Sequence, residues 1–202
     1  MIRVFVYGTL KKGEPNHYWL EDRERGDHKY VGEGRTLSKY PLVVATKYNI
    51  PFLLDSPGNG YNIKGEIYEV DNKMLSNLDI LEDHPNFYVR RSEEIEFNST
   101  TIQCWTYFLP KFKPELLKKK MLVSYVNEPT QPYLESNNEA TPEDLDEFRV
   151  EDRGDSGVAT VVGAPLFSSG LWTDLCGDRG IKAHRQQCAF FGDRGSHPNP
   201  GQ

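Results

Sequence analysis

A chain of 202 residues, 37% hydrophobic and 27% charged with a formal charge of −6, is long enough to bury one substantial core and carry an extension. The acidic balance gives no electrostatic footprint for nucleic acid, and no apolar run approaches the roughly 20 residues of a membrane span. Three widely spaced cysteines suggest neither a disulfide framework nor a zinc site, and Met1-Ile2-Arg3 leads into a strand without the regions of a secretion signal, so a cytoplasmic protein with free thiols is expected.

Ile2–Tyr7 is the first predicted strand, an apolar β-branched run that stops at Gly8-Thr9 and at Lys11-Lys12. Where such a strand opens into a loop, its backbone N–H groups lose their sheet partners. Gly8 lets a ligand approach without a Cβ in the way, and the Thr9 hydroxyl and lysine charge lie beside it. The loop could therefore cradle a carboxylate or a developing oxyanion. An ordinary turn serving geometry alone would show the same residues.

A short helix is predicted around His17–Arg23, then strands at Lys29–Leu37 and Leu42–Val44, and a hairpin turn at Ser56-Pro57-Gly58-Asn59-Gly60. A strand at Ile63–Val70 precedes a helix from Asp71 to Glu82, which must end before Pro85. Strands at Phe87–Phe97 and Ile102–Phe108 follow. Many strands, few helices and no βαβ alternation predict an α+β fold, a small and mainly antiparallel β-barrel with flanking helices, spanning residues 1–126.

The second helix carries an anomaly. Met74, Leu75, Leu78 and Leu81 form one apolar stripe at helical spacing, and the next i+4 position after Leu78 is Glu82. A carboxylate sharing a buried face needs a raised pKa or a dedicated hydrogen bond, which makes Glu82 a candidate acid/base. Two other readings stay open: Glu82 snorkels out, or it pairs with Arg90 or Arg91. Asp79 and Asp83 fall off the stripe and are expected in solvent.

Other chemistry is sparse. No nucleophile elbow is present, and His17, His28, His84, His184 and His197 show no metal-ligand spacing; no cofactor and no metal are expected. His84 before Pro85 reads as closing a turn. Tyr7, Tyr18, Trp19, Tyr68, Tyr88, Trp105 and Tyr107 read as core aromatics, although Tyr7 lies near the loop and Tyr88 near the helix end.

Residues 127–152 are rich in Glu, Asp, Asn, Pro and Thr, a composition that cannot repay its ordering entropy. Residues 153–202 add a modest apolar stretch at Val158–Phe167, and Asp-Arg-Gly recurs at 152–154, 178–180 and 193–195 at unequal intervals that make no repeat architecture. Residues 127–202 are thus expected to be an acidic linker and a low-order extension.

The run Val6-Tyr7-Gly8-Thr9-Leu10-Lys11-Lys12-Gly13-Glu14-Pro15-Asn16-His17, followed by Tyr40-Pro41-Leu42-Val43, Asn49-Ile50-Pro51-Phe52-Leu53-Leu54 and Gly65-Glu66-Ile67-Tyr68, resembles the γ-glutamyl cyclotransferase-like family that includes the AIG2-like proteins. The resemblance covers about residues 1–109, and Asn16-His17 with Asn49-Ile50-Pro51 places it nearest the γ-glutamylamine cyclotransferase branch. It implies a compact barrel, a substrate loop at Tyr7, Gly8, Thr9 and Leu10, and Glu82 as catalytic acid/base. It also implies conversion of a small γ-glutamyl amine, such as γ-glutamyl-ε-lysine, to 5-oxoproline and the free amine. A cyclotransferase acting on glutathione or γ-glutamyl amino acids is the alternative within the fold, and a non-catalytic binding module is the alternative outside catalysis. The expected partner is that small molecule, with no nucleic acid and no membrane; the oligomeric state is left open, with a monomer favoured. The chain departs from the family after Asn127.

Overall fold

The computed structural model describes residues 1–134; of the extension expected at 127–202, residues 135–202 lie outside the described residues. The elements in chain order are β1 (Ile2–Val6), α1 (Tyr18–Glu21), a 3-10 turn (Arg23–Arg25), β2 (His28–Tyr40), β3 (Leu42–Ala45), β4 (Ile50–Leu53), β5 (Tyr61–Val70), α2 (Asn72–Leu81), β6 (Val89–Phe97), β7 (Thr100–Phe108), a second 3-10 turn (Pro114–Lys118) and β8 (Met121–Leu122). Five strands close a barrel in the order β1-β5-β2-β6-β7, and the rest form a small sheet in the order β4-β3-β8. Four of the barrel's five pairings are antiparallel. The closing pair, β1 with β7 through Val4 and Trp105, is parallel. The mainly antiparallel barrel with flanking helices is therefore the observed architecture. Among the described residues, no helix is long and apolar enough to cross a membrane.

Side-chain alternation divides β1, β5 and β7 between two cores, whereas β2 and β6 supply buried apolar side chains to only one of them. Phe5, Ile63, Ile67, Ile95, Cys104 and Phe108 belong to one cluster, whereas Val4, Val6, Tyr68, Val70 and Tyr107, on the opposite strand faces, join Met74, Leu78 and Leu81 of α2 in the other. The apolar stripe of α2 is thus the lid of the second core. Asp71 caps the helix by accepting from the Met74 N–H at 2.7 Å.

The differences from sequence expectation have local causes. β4 is absent from the predicted strands; it contains Pro51 and lies at the edge of its sheet, where Pro51 opposite Val44 breaks no ladder. The predicted Ser56–Gly60 hairpin joins strands of different sheets, since β4 pairs with β3, and β5 pairs with β1 and β2. Turn residues reverse the chain without choosing its partner. β2 is longer than predicted and shifts register between Arg35 and Lys39. At that shift the buried Thr36 hydroxyl donates to Ser38 O at 2.7 Å and accepts the Ile63 N–H at 2.8 Å. Thr36→Val keeps the shape and strands the Ile63 N–H, so a loss of about 1–3 kcal/mol is expected in urea denaturation.

Residues 127–134 continue along the folded body. Asn127 N–H donates to Glu14 Oε2 at 3.0 Å, Tyr133 N–H to Asn127 Oδ1 at 2.7 Å, and Leu134 N–H to Tyr48 O at 2.9 Å.

Candidate active site

β1 delivers its chain to a loop at one end of the barrel. There Lys11 N–H turns back to Gly8 O at 3.2 Å and Asn16 N–H reaches Thr9 O at 2.9 Å. The Asn16 side chain donates to Thr9 Oγ1 at 3.0 Å and the His17 ring meets Leu10 O at 3.0 Å, fixing the loop from both sides. Among the described residues, the N–H groups of Gly8, Thr9 and Leu10 have no protein acceptor. That leaves three donors for a ligand. Lys11 does not face them, for its ammonium is engaged with Tyr125 O and Ser124 Oγ.

Gly8 has a steric reason of its own. A Cβ there would stand 2.9 Å from Pro51 Cγ of β4, so the loop rests directly on the neighbouring sheet. Gly8→Ala forces one of them to move, and a destabilisation of about 1–3 kcal/mol is expected by thermal denaturation, as for other overpacked contacts.

The last turn of α2 ends at Glu82, whose charge acts on Tyr7 at the head of that loop. Its N–H bonds Leu78 O at 2.9 Å, and Asp83, at φ +47°, turns the chain out of the helix. Phe87 and Tyr88 then fold back against Phe52 of β4, with the Tyr88 and Phe52 rings stacked at 6.3 Å. The Glu82 side chain is half-buried, and among the described residues its carboxyl forms no hydrogen bond or ion pair. Burial first, and the Asp79 carboxylate second, push Glu82 up to about 8.

Neither guanidinium that could have neutralised Glu82 does so. Arg90 is bound to Asp79, Nε to Oδ1 at 2.8 Å and Nη2 to Oδ2 at 3.1 Å. Arg91 is bound to Asp55 at 2.9 and 3.0 Å. The expectation of a solvent-exposed Asp79 is corrected by the same contacts: only 24% of its side chain is accessible, because β6 and β7 bring Arg90 and Tyr107 over it.

Three phenols converge here from distant parts of the chain. Tyr7 is buried, donates to Tyr107 O at 3.0 Å, and is held well above the ordinary phenol range by burial and then by the Glu82 charge. Tyr107 donates to Asp79 Oδ1 at 2.7 Å and is raised by burial and that bond. Tyr88, 4% exposed, is raised by burial, then by Tyr7, Glu82 and Tyr133. Its hydroxyl has no hydrogen-bond partner among the described residues. All three stay protonated near neutral pH. Sequence reading placed Tyr7 and Tyr88 near the site but classed Tyr107 as core, and no local pattern distinguishes it.

Through Tyr7, which feels the Glu82 charge, loop N–H donors, a phenolic O–H and a carboxyl kept largely protonated near neutrality fall in one region of the fold. Such a set binds an anion or a polarised carbonyl and moves a proton beside it. Residues 4–127 match the model of a family described as gamma-glutamyl cyclotransferase, AIG2-like. The chain is 54% identical over 136 residues to a Drosophila melanogaster protein named "Putative gamma-glutamylcyclotransferase CG2811", covering 67% of this chain and 87% of that one. It is 43% identical over 127 residues to the Homo sapiens gamma-glutamylaminecyclotransferase, covering 57% and 83% respectively. The crystal structure of an AIG2-like protein from Mus musculus is similar with a TM-score of 0.64 at 40% identity, over 66% of this chain and 95% of that one.

Proposed function

Because the chain belongs to the gamma-glutamyl cyclotransferase, AIG2-like family, we propose that it is a γ-glutamylamine cyclotransferase, converting γ-glutamyl amines such as γ-glutamyl-ε-lysine to 5-oxoproline and the free amine. The observation that carries this is the Glu82 carboxyl, raised to about 8, without a cation partner among the described residues, and acting on Tyr7, which leads into a loop offering free N–H donors.

The substrate's α-amine attacks the side-chain carbonyl of its own glutamyl unit. A C–N bond forms to close the five-membered ring, and the bond from that carbonyl carbon to the departing nitrogen breaks. No enzyme nucleophile is needed. Two protons leave the α-nitrogen, one from the ammonium before attack and one from the ring nitrogen after it; Glu82 takes each in turn and delivers it to the leaving nitrogen, which departs as an ammonium, so protons balance and no water is consumed. An ordinary carboxylate near 4.3 would accept that proton from an α-ammonium near 8 at a cost of about 5 kcal/mol. At about 8, Glu82 is matched to it. The N–H groups of the Tyr7, Gly8, Thr9 and Leu10 loop hold the α-carboxylate or the oxyanion, Tyr88 adds an O–H donor, and the folded-back substrate gains the high effective molarity of an intramolecular reaction.

A γ-glutamyl amino acid, glutathione included, differs by a carboxylate next to the departing nitrogen. Among the described residues, the Glu82 charge couples to Asp79 and to the phenols of Tyr7, Tyr88 and Tyr107, while Arg90 is paired with Asp79 and Lys11 is held at Tyr125 O, which favours an amine without that charge. Catalysis is assigned to residues 1–126 in a cytoplasmic protein, with residues 127–202 as its extension. Purified full-length chain is expected to release lysine and 5-oxoproline from γ-glutamyl-ε-lysine, with weaker turnover of glutathione. Failure on every γ-glutamyl amide would leave a binding module, and a preference for glutathione would reassign the substrate. A variant ending at Asn127 tests whether the later residues contribute.

A further inference from the structure

We propose that Asp79 is a positioning residue of this site, which touches no substrate and instead governs how readily the carboxyl one helical turn later gives up its proton. Its catalytic meaning rests on the function proposed above, whereas the coupling itself rests on geometry alone. Asp79 and Glu82 stand at i and i+3 on α2, neighbours on the helix surface. Asp79 is pinned from outside its own helix, by Tyr107 Oη of β7 at 2.7 Å and by Arg90 of β6 through two bonds at 2.8 and 3.1 Å. Arg90 is itself fixed, its guanidinium lying 4.5 Å from the centre of the Trp105 ring. The carboxylate cannot rotate away from Glu82 without breaking all three bonds.

Beyond burial, the Asp79 charge is the cause that raises Glu82. Tyr7 reaches it from the end of β1, Tyr88 from the loop after α2 and Tyr107 from β7, and these phenols are neutral near pH 7. Tyr133, from the 127–134 segment, couples to Tyr88. Following Glu82, Asp83 accepts from Asn86 at 3.1 Å, and His84 Nδ1 accepts the Arg90 N–H at 3.2 Å. A like charge nearby favours the protonated carboxyl, and the paired guanidinium limits that repulsion. Asp79 and Arg90 therefore act on Glu82 in opposite directions.

The test uses the full chain, its Asp79→Asn variant, which keeps an oxygen for Tyr107 and for Arg90 Nε, and Arg90→Gln, which keeps the Asp79 charge. The Glu82 carboxyl is titrated by carbon-13 NMR, and the pH profile of kcat/KM on γ-glutamyl-ε-lysine is recorded beside it. Asp79→Asn is expected to move the titration and the acid limb to lower pH, and Arg90→Gln to move both to higher pH. A Glu82 titration that stays put, or that moves the same way in both folded variants, overturns the proposal. Opposite titration shifts in a chain without turnover uphold the coupling and remove the cyclotransferase assignment instead.

Discussion

Glu82→Gln is expected to slow cyclisation of γ-glutamyl-ε-lysine, with kcat down by about 10²–10⁴-fold, the range of one positioned acid/base. Glutamine fills the same space and hydrogen-bonds, yet can neither take the α-ammonium proton nor return it to the leaving nitrogen. KM should change little, because the loop N–H groups and Tyr88 remain. The wild-type profile should be bell-shaped around pH 8, where Glu82 and the substrate amine share one proton. In the variant the acid limb belonging to Glu82 disappears.

A stability measurement separates this loss from misfolding. Glu82 titrates near 4.5 when unfolded and at about 8 when folded, so the native state binds the extra proton between those values. Wild-type stability therefore falls as pH rises through that window and levels off above it. Glu82→Gln has no such term. The variant should match wild type near pH 4.5 and melt at a higher temperature at pH 9, a gain in stability accompanying the loss of activity. Equal melting temperatures at pH 9 would show that no buried charge is being held at this position.

Leu78→Ala should cost about 2–5 kcal/mol in urea denaturation, the range for emptying a filled leucine site. Leu78 is 0% exposed, between Met74 and Leu81 in the core shared with the barrel. Against a total of about 5–15 kcal/mol for a domain, that is a large share. The effect should reach the site as well. The Leu78 carbonyl holds the Glu82 N–H at 2.9 Å, so a cavity under that turn loosens the proposed acid/base, and kcat should fall in the protein that remains folded. Ile80, on the same helix but 49% exposed, is the control. Its alanine variant should lie within about 0.5 kcal/mol of wild type. If Leu78→Ala behaves like Ile80→Ala, α2 is not anchored through its apolar stripe.

Much of this molecule is legible in local pattern. The helical period of Met74, Leu78 and Leu81 fixes which face of α2 is buried, and with it the placement of Glu82, because a residue's direction on a helix depends only on its near neighbours. The end of β1 at a glycine-threonine loop, the breaking of α2 before Pro85 and the excess of strands over helices are likewise short-range facts. Partner choice is a different matter. Arg90 and Arg91 are adjacent, and either could have neutralised Glu82; strand pairing sends one to Asp79 and the other to Asp55. Tyr7, Tyr88 and Tyr107 meet around one carboxyl only because the barrel closes β1 against β7 and α2 caps that end. The burial that lifts Glu82, and the charge of Asp79 held beside it, arise from contacts between segments tens of residues apart. No periodicity records such contacts, so the sequence by itself determined the helix stripe on which Glu82 falls, and the tertiary structure alone decided that its carboxyl is buried and unpaired among the described residues, and what surrounds it.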